Sequence, residues 1–202
     1  MPDPLRLVCL VSGGGTTLQN LLDRAADGSL PARVVGVVSS RADAFGAERA
    51  KRAGVPTAVE ARGPGFAERV WEAVRSFGPD MVCLAGWLHL LPIPDDLRYR
   101  VLNIHPSLLP AFGGKGMYGR RVHEAVLAYG AKVSGCTVHF ADDTYDTGPI
   151  VVQKCVPVKE GDAPDALAAR VFAAECDAYP EAIELIASGR VAVQGRRVII
   201  SD

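Results

Sequence analysis

Leu5-Arg6-Leu7-Val8-Cys9-Leu10-Val11 runs directly into Ser12-Gly13-Gly14-Gly15-Thr16-Thr17 and then Leu18-Gln19-Asn20-Leu21-Leu22. A strand with one wet face alternates apolar and polar residues, so this mostly apolar run reads as a strand buried on both faces. The glycines end it. Leu18, Leu21 and Leu22 then recur at helical spacing, which predicts a helix from Thr17 to Ala26. The pattern repeats downstream. Arg33 to Ser39 is a second strand, and Asp43 to Ala53 a helix with Gly54 as its stop. Val55 to Val59 is short and extended, Gly65 to Phe77 is helical up to Gly78-Pro79, and Met81 to Ala85 is a fourth, apolar strand. Buried strands separated by helices predict an α/β fold, a Rossmann-like, mostly parallel sheet flanked by helices.

The second half changes character. Val101 to Ile104 ends a buried strand, stopped by Pro106, and a Gly-rich loop spans Phe112 to Gly119. A helix through Arg121 to Tyr129 follows. Ser134 to Phe140 and Ile150 to Val158 are β-rich and are expected to pair antiparallel. Ala163 to Ala187 is helical with a break expected at Pro180, and Val191 to Ile200 forms a hairpin around Gly195. No repeat, low-complexity tract or linker interrupts the chain. The expectation is a single domain over 1–202, with a C-terminal mixed or antiparallel part and a site where its halves share a sheet.

Composition narrows the function classes. The chain has 202 residues, 49% of them hydrophobic and 22% charged, with a net charge of -1. Such a balance provides no basic field for nucleic acid. No apolar run approaches the ~18 residues of a membrane span. Met1-Pro2-Asp3-Pro4 does not open a signal peptide. Cys9, Cys83, Cys136, Cys155 and Cys176 are odd in number and include no C-x-x-C pair. They read as small buried apolar residues in a reducing, cytoplasmic setting, neither a disulfide framework nor a zinc site.

Two stretches carry chemistry. Gly13, Gly14 and Gly15 lie between a strand and a helix N-terminus, where free N–H groups and the positive end of the helix dipole suit a phosphate. The spacing is not G-x-G-x-x-G, and no G-K-[ST] follows. The second strand ends in Ser39-Ser40-Arg41 without an acidic ribose ligand, so a sugar phosphate fits better than a dinucleotide. A phosphorylated dinucleotide held by Arg41, or a plain turn capped by Thr16 or Thr17, remains compatible with these residues. The second stretch is Asn103-Ile104-His105-Pro106-Ser107-Leu108-Leu109-Pro110, with Tyr145-Asp146-Thr147-Gly148-Pro149 further on. Asn103 and His105, two apart on a strand, leave on the same face. An amide donor, an imidazole and a carboxylate can pass a carbonyl group to an amine: the first holds the oxygen, the second stabilises the oxyanion, and the third orients the imidazole and moves protons. A carboxylate beside the imidazole is expected to raise its pKa and make it cationic near neutrality. Taken singly, His105 reads equally well as structural, Asn103 as a turn residue and Asp146 as part of a turn. The combination is far more specific.

Ser12-Gly13-Gly14-Gly15-Thr16-Thr17-Leu18-Gln19, the Asn103–Pro110 stretch continued to Phe112, and Gly135 to Ile150, in this order, resemble the folate-dependent formyltransferases. Within that family the likeness is to the branch that formylates glycinamide ribonucleotide in purine biosynthesis. It runs from Leu5 to about Val193. The resemblance implies formyl transfer from 10-formyltetrahydrofolate, as co-substrate, to the acceptor's amine, with no metal, nucleic acid or membrane and with a monomer or homodimer. It implies a phosphate-binding half over 1–100 and a catalytic and folate-binding half over 101–202. Asn103, His105 and Asp146 would be catalytic. Gly13, Gly14, Gly15, Thr16 and Thr17 would hold the phosphate, and Glu175 the ribose hydroxyls. Trp87, Leu88, His89, Leu90, Asp142, Asp143 and Thr144 would form the folate side.

This chain departs from the family pattern in places. Thr16-Thr17 replaces Ser-Asn, His89 stands where Arg is common, and Phe112 to Gly119 replaces a Pro-Gly turn, with His123 later. Lys115 reads as a solvated charge, with a contact to the folate glutamate tail as the alternative; His139, at a family position, reads as a core or edge-strand histidine, with support of the catalytic set as the alternative. Members acting on a charged tRNA would carry an RNA-binding extension, and those hydrolysing the folate an N-terminal regulatory domain. Neither is expected here. A non-catalytic nucleotide-binding module would give no reason for the Asn/His/Asp set.

Overall fold

The structure, a computed structural model, describes residues 3–201; Met1 and Pro2, which enter the reading of the N-terminus above, and Asp202 lie outside the described residues. The elements, in chain order, are β1 (Leu5–Val11), α1 (Thr16–Ala26), β2 (Ala32–Ser39), α2 (Phe45–Arg52), β3 (Thr57–Val59), α3 (Phe66–Ser76) and β4 (Met81–Leu84). A short 3-10 turn, Asp95–Leu97, precedes β5 (Val101–His105). Then come α4 (Arg120–Tyr129), β6 (Val133–Phe140), β7 (Ile150–Pro157), α5 (Pro164–Ala187), β8 (Val191–Gln194) and β9 (Arg197–Ile200). Seven strands make one mixed sheet, ordered β3-β2-β1-β4-β5-β6-β7, and β8-β9 form a separate hairpin. The chain divides into two compact units, residues 1–102 with 187–189, and 103–186 with 190–202.

In the first unit β1 pairs in parallel with both β2 and β4, and β2 with β3. Leu7 to Val11 have no exposed surface, as their unbroken apolar run requires. Helices cover the strands with one apolar stripe each: Leu18, Leu21 and Leu22 from α1, and Val70, Trp71 and Val74 from α3. Trp71 seats its indole N–H on the Pro92 carbonyl at 2.8 Å, so its burial leaves no orphaned donor.

In the second unit β6 and β7 pair antiparallel, as expected, with a register shift between Val138 and His139. Helix α5 departs from expectation: it runs unbroken for 24 residues with Pro180 inside it. An interior proline costs about 3 kcal/mol. Ala178, Tyr179, Ala182 and Ile183 around it have no exposed surface, and fully burying Tyr179 and Ile183 offsets that cost at about 1.5–3 kcal/mol for each large side chain. The hairpin turns at Gly195, whose φ of 61° lies in the left-handed region.

The cysteines also differ in part from the reading above. Cys9, Cys83 and Cys136 are buried, but Cys155 is exposed and Cys176 is half-buried, and none of the five is in a disulfide. Cys155 falls on the outward face of β7, at the end of the sheet, and Cys176 lies on α5. Among the described residues no helix is long and apolar enough to cross a membrane.

Candidate active site

Strand β5 delivers Asn103 half-buried and His105 only 3% exposed. The loop after β6 brings Asp146 to them. Its φ of 59° is uncommon for a residue with a side chain, though Asp tolerates the left-handed region better than most. Asp146 Oδ2 lies 3.4 Å from His105 Nδ1 and accepts the Gly114 N–H at 2.8 Å. Its other oxygen is 3.4 Å from Asn103 Nδ2 and 3.8 Å from His139 Nε2.

Hydrogen-bond logic assigns the protons. His139 Nδ1 faces the Phe140 carbonyl at 2.9 Å, and a carbonyl only accepts, so Nδ1 carries the hydrogen. Nε2 of neutral His139 is then an acceptor, and Asn103 Nδ2 donates to it at 3.1 Å. The Asn103 amide is thereby oriented, with its second N–H turned to Asp146. By the same rule His105 Nε2 donates to the Phe112 carbonyl at 2.9 Å. Neutral His105 then presents a lone pair to Asp146, whereas its cation presents an N–H to both acceptors.

Electrostatics correct one expectation. Burial lowers the His105 pKa, and the opposing pull of Asp146 and the Phe112 carbonyl does not overcome it. The carboxylate alone therefore does not make this imidazole cationic. Burial also pushes the Asp146 carboxyl up, but the nearby His139, the charge of His105 and the Gly114 N–H together hold it below the usual value. His139 Nε2, at 3.8 Å, lies beyond direct hydrogen-bond distance of this carboxylate. Asp146 is the ionised member of the group.

Sequence reasoning missed part of this setting. The Phe112 carbonyl and the Gly114 N–H are main-chain groups that no side-chain pattern reveals. Phe112 itself has φ 54°, which costs an ordinary side chain about 1–2 kcal/mol. Both readings of His139 meet in one residue: it is buried on β6 and it holds Asn103. His123 is 4% exposed on α4, its Nδ1 has no partner, and burial, with the charge of His105 as a smaller cause, lowers its pKa. Lys115 is exposed.

The other predicted residues fall as follows. Gly15 is the N-cap of α1, with φ 68°, and the helix begins at Thr16, so neither Thr16 nor Thr17 caps it. Glu175, on α5, is half-buried as a residue, yet desolvation raises its carboxyl pKa from 4.5 to about 7. It is not the solvated helix residue that pattern alone suggests. Trp87 is 8% exposed and stacks on Phe66 at 5.9 Å, with His89 edge-on to both rings, while Leu88 and Leu90 are exposed. Trp87 Nε1 is buried without a partner. Asp142 accepts from the Thr144 N–H at 3.1 Å and the Thr147 hydroxyl at 2.8 Å, so its carboxylate braces its own loop. Asp143 and Thr144 are both exposed.

Comparison with known proteins gives the family. Residues 5–183 match the formyl transferase family model. The chain is 41% identical over 199 residues to a chloroplastic phosphoribosylglycinamide formyltransferase of Arabidopsis thaliana, covering 94% of this chain and 68% of that protein. It is 40% identical to the trifunctional purine biosynthetic protein adenosine-3 of Bos taurus, spanning 19% of that longer protein. Among solved structures, glycinamide ribonucleotide transformylase 1 from Symbiobacterium toebii superimposes with a TM-score of 0.91 at 44% identity, over 100% of this chain and 96% of that one. On these grounds the chain belongs to the formyl transferase family.

Proposed function

We propose that this protein transfers the formyl group of 10-formyltetrahydrofolate to the amine of glycinamide ribonucleotide, releasing N-formylglycinamide ribonucleotide and tetrahydrofolate. The observation that carries the reading is the convergence of Asn103, His105 and Asp146, with both Asn103 Nδ2 and His105 Nδ1 3.4 Å from the Asp146 carboxylate. That contact from Asn103 is long, so one amide hydrogen is weakly held and can turn to the formyl oxygen. As the neutral amine adds to the formyl carbon, negative charge grows on that oxygen. His105, which takes up a proton from solvent as that charge develops, stabilises it as the cation. Asp146, already ionised, pairs with the imidazolium, takes the proton that the amine must lose, directly or through water, and passes it to N10 of the folate as the C–N10 bond breaks.

In this reading the loop Gly13 to Thr17 takes the acceptor's phosphate, and Glu175 takes the ribose hydroxyls. A carboxyl that desolvation holds near neutrality regains hydrogen bonds when two hydroxyls dock on it. Trp87 to Leu90 and Asp142 to Thr144 line the folate. The residues of 1–100 supply phosphate binding and part of the folate side, and those of 101–202 the chemistry and the remaining folate contacts. Five cysteines, none of them in a disulfide, support a reducing compartment such as the cytoplasm.

The test is formyl transfer followed by absorbance, with and without glycinamide ribonucleotide. Turnover that requires the nucleotide is the expected result. Release of tetrahydrofolate without it would replace this reading with hydrolysis, and no turnover in either case would sink it.

A further inference from the structure

The glycine loop is held from one side by α2. The Gly46 N–H donates to the Gly13 carbonyl at 2.9 Å, and Arg49 Nε donates to the Gly14 carbonyl, also at 2.9 Å. Arg49 Nη1 reaches the Gln19 side-chain oxygen on α1 at 2.9 Å, and the guanidinium lies 4.8 Å from the centre of the Phe45 ring. Two acceptors and a ring face therefore fix this half-buried arginine in place. The spacing of α2 from the loop is set by glycine against glycine. A Cβ on Gly15 would come within 2.5 Å of the Gly46 Cα.

The peptide plane turns these anchors into a statement about the opposite side of the loop. In a trans peptide the C=O of one residue and the N–H of the next point in opposite directions. With the Gly13 and Gly14 carbonyls drawn toward α2, the N–H groups of Gly14 and Gly15 point away from it. A Cβ on Gly13 or Gly14 would meet nothing within 4 Å, so the loop's own packing does not dictate this orientation. A loop of three glycines has little intrinsic preference for one peptide orientation. Something outside must choose it, and the α2 contacts are the donors in place to do so.

We propose that Arg49 is a positioning residue for phosphate: by holding the Gly14 carbonyl and Gln19, it presents the Gly14 and Gly15 N–H groups in advance to the phosphate of the acceptor. The proposal rests on the reading of this loop as the acceptor's phosphate site. Arg49 acts through the loop, so its removal is expected to weaken binding of the phosphorylated acceptor and to leave the chemical step alone.

The experiment compares the wild type, Arg49→Ala, Arg49→Lys and Gly46→Ala, using glycinamide ribonucleotide and the corresponding riboside lacking phosphate as acceptors. Gly46→Ala perturbs the loop from the same side without removing a charge, because its Cβ would lie 3.3 Å from the Gly15 Cα and 3.1 Å from the Val11 Cβ. For Arg49→Ala the KM for the nucleotide should rise about tenfold, as expected for the loss of a charged hydrogen bond. Its kcat, its KM for folate and its kcat/KM for the riboside should stay near wild type. Arg49→Lys keeps the charge but cannot reach both acceptors with a planar fork, so it should restore only part of the loss. Gly46→Ala should show the same selective rise in nucleotide KM.

An unchanged nucleotide KM in Arg49→Ala, equal losses for the two acceptors, or full rescue by Arg49→Lys would overturn the positioning role. A wild type that treats nucleotide and riboside alike would instead overturn the phosphate reading of the loop itself.

Discussion

At the scale of single residues, the site is a small set of polar groups whose protonation is set by what encloses them. Asp146 is ionised because its neighbours outweigh its burial; His105 is held toward neutrality because burial outweighs its neighbours. Replacing Asn103 or His105 by Ala, or Asp146 by Asn, should each lower kcat on the order of 10²–10³-fold. On the proposed mechanism the three act together, so the double variant His105→Ala/Asp146→Asn should lose much less than the product of the single losses. Steady-state kinetics on the four proteins would detect independent, multiplicative losses if this coupling were absent. Glu175 makes a separate prediction about stability. Its pKa is raised from 4.5 to about 7, so between those values the folded state binds a proton that the unfolded state does not. By linkage this contribution to stability is complete below about 4.5 and is lost as pH rises through about 7. Relative to Glu175→Gln, the unfolding free energy of the wild type should fall by about 1–3 kcal/mol from pH 5 to pH 8. A flat difference in denaturant titrations would mean that the carboxyl is already ionised at pH 5.

At the scale of elements, the strands and helices were largely legible, because each carries one dominant period. The uniform apolar run of β1 and the helical stripe of α1 need no distant partner to be recognised. Helix α5 resisted because proline is a local signal, whereas the burial of Tyr179 and Ile183 that holds the helix together is not local. Likewise the pairing of β6 with β7 was readable, but not how closely the strands approach. Gly135 in β6 lies against the main chain of Lys154 in β7, where a Cβ would collide with the carbonyl. Gly135→Ala should therefore destabilise the protein by about 3 kcal/mol or more, since backbone cannot move aside as a side chain end can. Thermal unfolding of the variant would measure it, and an unchanged midpoint would show that the two strands separate without cost.

At the scale of the whole molecule, ligands that bind only the folded chain should stabilise it. Glycinamide ribonucleotide at about 100 times its Kd should add about 2.7 kcal/mol, which for a chain of this size raises Tm by about 5–10 °C. Glycinamide riboside at the same concentration should raise it less, and equal shifts would count against a phosphate site. The sequence by itself determined the α/β class, most element positions and the residue types a formyl transfer requires, because hydrophobic period and side-chain chemistry are written position by position. It did not determine the His105 pKa, the main-chain donor and acceptor at Gly114 and Phe112, the grip of His139 on Asn103, or the enclosure of the Glu175 carboxyl. Those were decided only by tertiary structure. Desolvation depends on everything packed around a group, and a backbone N–H or C=O is present at nearly every residue until folding aims one of them.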